Sequence, residues 1–292
     1  MFGRLSTVVS QIKNSTLIRR KIFLKTMSSQ AGLPLQKVVE ALHAFADESL
    51  AASWDNVGLL IEPTEPKNIS HVLLTNDLTE AVMTEAVNMK ADLIISYHPP
   101  IFAPLKSITN RTWKERIAAK CLENKIALYS PHTSFDSIKG GVNDWLAESF
   151  DLAKNVPIEP DTNNPENGIG RLCTLKQPIS IMDAVQLVKE RTKLPYVRLA
   201  KSGESTVQTV AICAGSGTSV LKGISADLFL TGEMLHHDVL DAVHNGTNVI
   251  LTNHSDSERG FLPVFGKILQ KSLGDTIKIS ISKEDTDPLK TV

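Results

Sequence analysis

The sequence predicts an α/β fold of two lobes, each a mainly parallel sheet covered by helices, and three observations carry the prediction. The chain has 292 residues, 42% hydrophobic and 22% charged, an ordinary globular balance with length enough for two cores of about 100 to 150 residues. Short runs rich in β-formers alternate with helical stretches, and strands joined by helical crossovers favour parallel pairing. The helical stretches open on chemical start signals: Asp77 with Glu80, and Thr112 with Glu115, have the spacing of a capping box.

From Leu35 the apolar positions Val38, Val39, Leu42, Phe45 and Ala46 recur at helical spacing and give an amphipathic opening helix. Strands follow at 71–75, 93–96 and 126–129, with the capped helices between them. These make lobe one, residues 31–155. Residues 156–170, rich in Pro, Asn, Asp, Glu and Gly, lack periodicity and read as a linker. Lobe two, residues 171–292, has a helix over about 180–193 and strands near 209–214, 228–231, 248–252 and 277–281. Residues 1–30 stand apart: they carry Arg4, Lys13, Arg19, Arg20, Lys21 and Lys25 and no acidic residue. That composition suits a mitochondrial transit peptide or a disordered basic leader.

A net charge of -1 gives no global drive toward nucleic acid or anionic membranes, so no direct nucleic-acid binding is expected. No apolar run approaches the roughly 18 to 20 residues that cross a bilayer. Cys121, Cys173 and Cys213 are far apart and in no Cys-x-x-Cys spacing, which argues against a disulfide framework and a thiolate zinc site.

In open α/β sheets ligand sites gather beyond the carboxyl ends of strands. The run 93–96 leads into Tyr97-His98-Pro99-Pro100, where two prolines end pairing directly after a histidine. The run 126–129 leads into Pro131-His132-Thr133-Ser134-Phe135-Asp136, and 248–252 into Asn253-His254-Ser255-Asp256-Ser257-Glu258. His254 and Glu258 are four apart, which puts both on one face if a helix starts there. Neutral imidazoles with carboxylates suit zinc, manganese, iron or nickel, and a bridging carboxylate can hold two ions. His98, His132, Asp136, His254 and Glu258 are thus candidates for one metal-binding rim. Simpler roles compete: Glu258 also fits a capping box with Ser255, Asp136 an ordinary turn, and each histidine a hydrogen-bonded loop.

Two further segments belong near this rim. Glu233, which follows a strand and opens a helix, suits a general acid or base, or a complement to the positive helix start. His236 and His237 beside it suit a capped or partly buried pair. The small-residue turn 213–219 either offers amides to an anion or packs tightly. It lacks the dinucleotide fingerprint and the P-loop lysine. Absence of a Gly-x-Ser-x-Gly elbow disfavours side-chain nucleophilic catalysis.

The segments Trp54-Asp55-Asn56-Val57-Gly58-Leu59, Tyr97-His98-Pro99-Pro100-Ile101-Phe102, Pro131 to Asp136, Thr231-Gly232-Glu233 and His254 to Glu258 together resemble one family. It is the NGG-interacting factor family, also called GTP cyclohydrolase I type 2-like, and the resemblance covers about residues 35–292. It implies two lobes facing a cleft that holds the metal site, and a homo-oligomer, a dimer or a hexamer. In bacterial relatives a His-His pair, an Asp and a His-x-x-x-Glu hold two metal ions. Carried over by motif, the metal ligands here are His98, Asp136, His254 and Glu258. Tyr97 stands where that motif has its first histidine, and a phenol with pKa about 10 is a poorer ligand at neutral pH than imidazole. One tight ion and a second weak or absent one are expected. The short linker implies that the additional domain of longer relatives is missing.

Two functions follow from the resemblance and the residues together. The first is a metal-dependent hydrolase acting on a nucleotide-like or other phosphorylated small molecule, with Glu233 or His132 assisting proton transfer. The second is a non-enzymatic, corepressor-like regulator that works through protein partners in transcription. The expected location is the cytoplasm and nucleus, or the mitochondrion through the basic leader.

Overall fold

Helix α1 (Leu35–Phe45) forms where the apolar periodicity placed it, burying Leu35, Val38, Val39 and Leu42. The computed structural model describes residues 32–65, 68–203 and 206–291, so the basic leader over residues 1–30 lies outside the described residues. After α1 come β1 (Gly58–Ile61), β2 (His71–Thr75), α2 (Glu80–Asn88), β3 (Leu93–Ser96), α3 (Trp113–Glu123) and β4 (Ala127–Ser130). Short helices α4 (Thr133–Ser137) and α5 (Val142–Ala147) lead to β5 (Leu152–Val156), β6 (Glu159–Pro160), β7 (Gly168–Ile169) and β8 (Arg171–Ser180). Then follow α6 (Ile181–Thr192), β9 (Arg198–Ala200), β10 (Thr206–Ser216), α7 (Thr218–Leu221), β11 (Leu228–Glu233) and α8 (His236–His244). The last elements are β12 (Asn248–Leu251), α9 (Leu262–Leu273) and β13 (Lys278–Ile281).

The strands build two main sheets. The first, β1-β4-β3-β2-β13, is parallel except for β1 against β4. The second, β5-β8-β10-β11-β12-β9, has a parallel centre, β10-β11-β12, flanked by antiparallel β8, β5 and β9. It is therefore mixed, where a mainly parallel sheet was expected. Strand β8 was not anticipated, because Lys176-Gln177-Pro178 breaks the apolar run that would signal it. The linker is structured in part, since β6 and β7 pair across it.

β13 was expected in the second sheet, but it pairs in parallel with β2 of the first. The reason is physical. Every residue of β2 is buried, so an open edge there would strand buried amides and carbonyls, and the returning chain covers it. β5, numbered within the expected first lobe, likewise joins the second sheet beside β8.

Alternation along the strands divides the core. Leu74, Ile95 and Tyr129 of the first sheet share one cluster with Val210, Ile212, Leu230 and Ile250 of the second. The opposite faces pack separately: Leu73, Ile94 and Leu128 beneath Val82, Met83 and Ile117 of α2 and α3, and Phe229 and Val249 beneath Leu221 and Ala242. Full burial of each large aliphatic side chain contributes roughly 1.5–3 kcal/mol, and a strand buried on both faces gains it at every position. The three cysteines are free and buried in these layers. Among the described residues no helix is long and apolar enough to cross a membrane.

Cap chemistry departs from expectation in a way that matters for function. The N-cap of α2 is Thr79, whose hydroxyl accepts from the Val82 amide at 3.3 Å, so Asp77 is not a cap and its carboxylate is free for another task. Thr112 does cap α3, accepting from the Glu115 amide at 3.3 Å. Glu115 instead turns to Thr109 and Ser107, so the reciprocal half of the box is not made.

Candidate metal centre

The site forms where β3, β4, β11 and β12 end. Backbone bonds from Tyr97 N to Thr75 O and from His98 N to Asn76 O, both 2.9 Å, extend the β2–β3 ladder and pin His98 just past β3. Its Nδ1 lies 2.9 Å from Asp77 Oδ1, which fixes the Nδ1–H tautomer and turns Nε2 toward the cleft. His254, beyond β12, is held the same way, with Nδ1 2.8 Å from Glu233 Oε1 at the end of β11. Between the two imidazoles sits Glu258, only 4% exposed. Its Oε2 is 3.3 Å from His98 Nε2 and its Oε1 3.5 Å from His254 Nε2, while Asn76 Nδ2 donates to Oε2 at 3.1 Å. The ligand atoms of His98, His254 and Glu258 all lie within 4.8 Å of one another.

The segment after β13 braces this arrangement. Asp285 Oδ2 accepts from the Asn76 amide at 2.7 Å, and Asp287 Oδ2 accepts from Ser255 Oγ at 2.7 Å. Ser255 is thereby engaged with Asp287 and Arg259 Nη2, so the capping-box role for Glu258 falls away. His254 and Glu258 are not on an α-helix either; a 3-10 turn, Ser255–Ser257, brings them together.

Gly215 closes the floor. Its φ is +65°, and a Cβ there would stand 2.5 Å from Glu258 Oε1 and 3.2 Å from His254 Nε2, so only glycine leaves the cluster its room. Three amides of this small-residue turn are already used: Ala214 N donates to Asn143 Oδ1, Gly215 N to Ser257 Oγ and Gly217 N to Thr231 Oγ1, at 2.9, 2.7 and 3.1 Å. Tight packing takes up these three amides.

Electrostatics fit a cation. Burial alone would keep His98 neutral, yet the Glu258 and Asp77 carboxylates outweigh it and raise its pKa to about 10. Burial likewise favours protonated Glu258, but the charge of nearby His98 prevails and lowers it. Among the described residues His98 Nε2 is buried without a hydrogen-bond partner, as is Asn76 Oδ1; orphaned buried atoms of this kind need an explanation. A divalent ion among two imidazole nitrogens and a carboxylate would supply it, and that donor set suits zinc, manganese, iron or nickel.

The other expected residues lie close by but outside this triad. Asp136 is half-buried and accepts from Tyr97 Oη at 2.5 Å. Burial raises it to about 6 against the lowering effect of that bond, while burial and Asp136 push the Tyr97 phenol well above its ordinary value. His132 packs its ring 5.3 Å from that of His98. Asp55 Oδ1 holds its Nδ1 at 2.7 Å and Asp55 Oδ2 accepts from the Thr133 amide at 3.1 Å, keeping His132 in a backbone conformation, φ +34°, that non-glycine residues rarely adopt. Glu233 is engaged by His254. His236 and His237 are exposed at the start of α8 and touch each other, not the cluster. Sequence reasoning missed the orienting roles of Asp77 and Asp55. Their signal, an acidic residue directly after a strand or within a Trp-Asp-Asn turn, reads locally as a cap or turn.

The sequence profile of the family described as Duf34/NIF3 (NGG1p interacting factor 3) matches residues 33–288. The chain belongs to the NIF3 family. Among family members, NIF3-like protein 1 of Drosophila melanogaster is 49% identical over 271 residues, 92% of this chain and 93% of that protein. NIF3-like protein 1 of Homo sapiens is 38% identical over 91% of this chain and 94% of its own length. That alignment spans 355 positions against 292 residues here, so the human relative carries segments this chain lacks. NGG1-interacting factor 3 of Saccharomyces cerevisiae is 37% identical over 87% and 96%. A Bacillus cereus protein related to NIF3 has the same fold, with a TM-score of 0.80 at 23% identity over 88% of this chain and 98% of that one. Reduced HcgD from Methanocaldococcus jannaschii superimposes with a TM-score of 0.74 at 27% identity over 85% and 97%.

Proposed function

We propose that this NIF3 chain holds a divalent metal ion on His98, His254 and Glu258, with Asp136 beside it, and works as a hydrolase on a nucleotide-like or other phosphorylated small molecule. The observation that carries the reading is His98: one ring nitrogen is fixed by Asp77, and the other is buried, unbonded and aimed at Glu258 and His254. When bound, such an ion supplies Lewis acidity and lowers the pKa of water toward about 7. The remaining roles fall to side chains. Asp77 and Glu233 keep both imidazoles in the tautomer whose Nε2 faces inward. With Glu233 so engaged, His132 is the better-placed proton carrier: Asp55 holds its Nδ1, and among the described residues no hydrogen bond engages Nε2.

Arg198 supports the phosphorylated class. It lines a cleft of about 470 Å³ together with His98, His254, Glu233 and Asp287, a volume typical of small-molecule sites. Among the described residues Arg198 forms no ion pair, and a free guanidinium matches a phosphate fork. A larger cavity of about 650 Å³ lies between α7 and α8, but none of the cluster residues lines it.

A second reading takes its support from the yeast relative, whose name records an interaction with NGG1: a regulator working through protein partners, with a structural metal. The two part on a screen of phosphate release from nucleotides and sugar phosphates by metal-loaded protein. Turnover abolished by His98→Ala and reduced about 100-fold or more by His132→Gln supports the hydrolase. No turnover on any compound, with partner binding indifferent to His98→Ala, supports the regulator.

A further inference from the structure

The aromatic residues beside the cluster are arranged in a way that core packing does not explain. Trp54 is 63% exposed and Phe102 46%, and neither belongs to a core cluster. Large aromatic side chains are ordinarily well buried, since each covers some 150–250 Å². Here two stand in solvent side by side, ring centroids 6.0 Å apart and planes tilted by 52°. Both rest against the same histidine: Trp54 meets His132 at 6.0 Å and Phe102 meets it at 6.4 Å, each edge to face.

The loops that carry them are tied down, so exposure does not come from slack. Asp55, next to Trp54, bonds to His132 Nδ1 and to the amide and hydroxyl of Thr133. Asn56 Nδ2 donates to the carbonyl of Ile101, next to Phe102, at 2.5 Å, stapling one aromatic loop to the other. A rigid aromatic corner loses little entropy when it binds. It is also continuous with the cluster: His132 to His98 is one ring step of 5.3 Å, and His98 to His254 another of 5.1 Å.

We propose that Trp54 and Phe102 form a stacking subsite for a planar heteroaromatic ring, so that the ligand of the cleft is a nucleotide or a similar ring-bearing phosphate and not a simple sugar phosphate. This rests on the metal-cleft reading above and narrows its substrate class. Stacking uses the π-face that every base offers, so the subsite selects for a ring without choosing among bases. His132, beneath the corner, lies between the ring-binding and metal-binding ends.

The test compares the four common nucleoside 5′-monophosphates with ribose 5-phosphate, which has the phosphate and sugar but no ring, by titration calorimetry on the metal-loaded full chain. Wild-type protein is expected to bind the nucleotides about tenfold or more tighter than ribose 5-phosphate. Trp54→Ala and Phe102→Ala should erase most of that margin while affinity for ribose 5-phosphate, metal content and melting temperature stay unchanged, and Trp54→Phe should restore much of it. Equal wild-type affinity for ringed and ringless probes, or no binding of either, overturns the proposal. So does a change in oligomer size in Trp54→Ala with no change in ligand preference, which would assign the corner to a second copy of the chain. If purified protein neither carries nor takes up metal but Trp54-dependent nucleotide preference persists, the metal reading fails and the stacking subsite stands.

Discussion

Two polar centres in this molecule, each built around a buried charged side chain, are finished differently. Arg171, 1% exposed, donates Nε and Nη2 to the two oxygens of Asp144 at 2.7 and 2.8 Å, and Nη1 to the carbonyls of Gly168 and Gly170 at 2.6 and 2.7 Å. A further bond from Nη2 reaches Ile138 O at 3.3 Å, and the pair fastens the end of the linker to α5. Every charge there has its complement within the chain. At the strand ends the cluster is unfinished: among the described residues His98 Nε2 and Asn76 Oδ1 have no hydrogen-bond partner, and carboxylates crowd a single imidazole. A structural centre is closed by its own atoms, whereas a ligand site is left open toward the ligand.

The largest effect is expected at the closed centre. Asp144→Ala strands a buried guanidinium and should destabilise the fold by about 3–5 kcal/mol in urea titration, with metal uptake by the folded fraction unchanged. Its acid response follows from the same pair. Burial would raise the Asp144 pKa, but the Arg171 hydrogen bonds and charge hold it below 3.8. The stabilisation is therefore complete above about pH 3.8 and fades as pH falls through the lower folded value; Asp144→Asn should flatten that part of the acid-unfolding curve.

Metal removal comes next. At free metal 100 to 1,000 times its dissociation constant, binding stabilises the fold by about 2.7–4.1 kcal/mol, so a chelator should lower the melting temperature of wild-type protein and leave His98→Ala unmoved. Gly215→Ala should cost about 1–2 kcal/mol through its left-handed backbone and also abolish metal binding, because its Cβ would occupy the space beside Glu258. Glu233→Gln and Asp77→Asn keep shape but loosen the imidazoles, and each should weaken metal affinity by about 10- to 100-fold. The smallest effect is a proton count. Metal-free His98 keeps its proton up to about pH 10, so metal binding at pH 8 should release about one proton, measured by calorimetry in buffers of different ionisation enthalpy. Binding with no proton release would contradict the assigned ligand.

How much of this the sequence disclosed depends on the range of the interaction. That His98, His254 and Glu258 converge was legible because histidines and carboxylates follow apolar runs, and strand ends converge in an α/β sheet whatever the loops do. Helix α1 and strands β2, β3, β11 and β12 followed from local periodicity for the same reason. The orienting carboxylates were not legible: Asp55 meets His132 from 77 residues away and Asp77 meets His98 from 21, and no local pattern encodes those pairings. Asp77 even imitated a cap, two residues ahead of the true one at Thr79. β13 was placed in the wrong sheet because pairing partners are chosen by which edge needs cover, a property of the assembled sheet. Asp136 shows a further limit, since its link to Tyr97 depends on a hydroxyl that a metal-ligand motif does not anticipate.

Elemental analysis of purified wild-type chain beside a His98→Ala, His254→Ala double variant, after exchange into buffer without chelator, tests the metal site itself. About one tightly held divalent ion per wild-type chain and none in the double variant is expected, with Tyr97 leaving any second ion weak or absent. Equal metal in both proteins, none in the wild type, or two ions at full occupancy would contradict it.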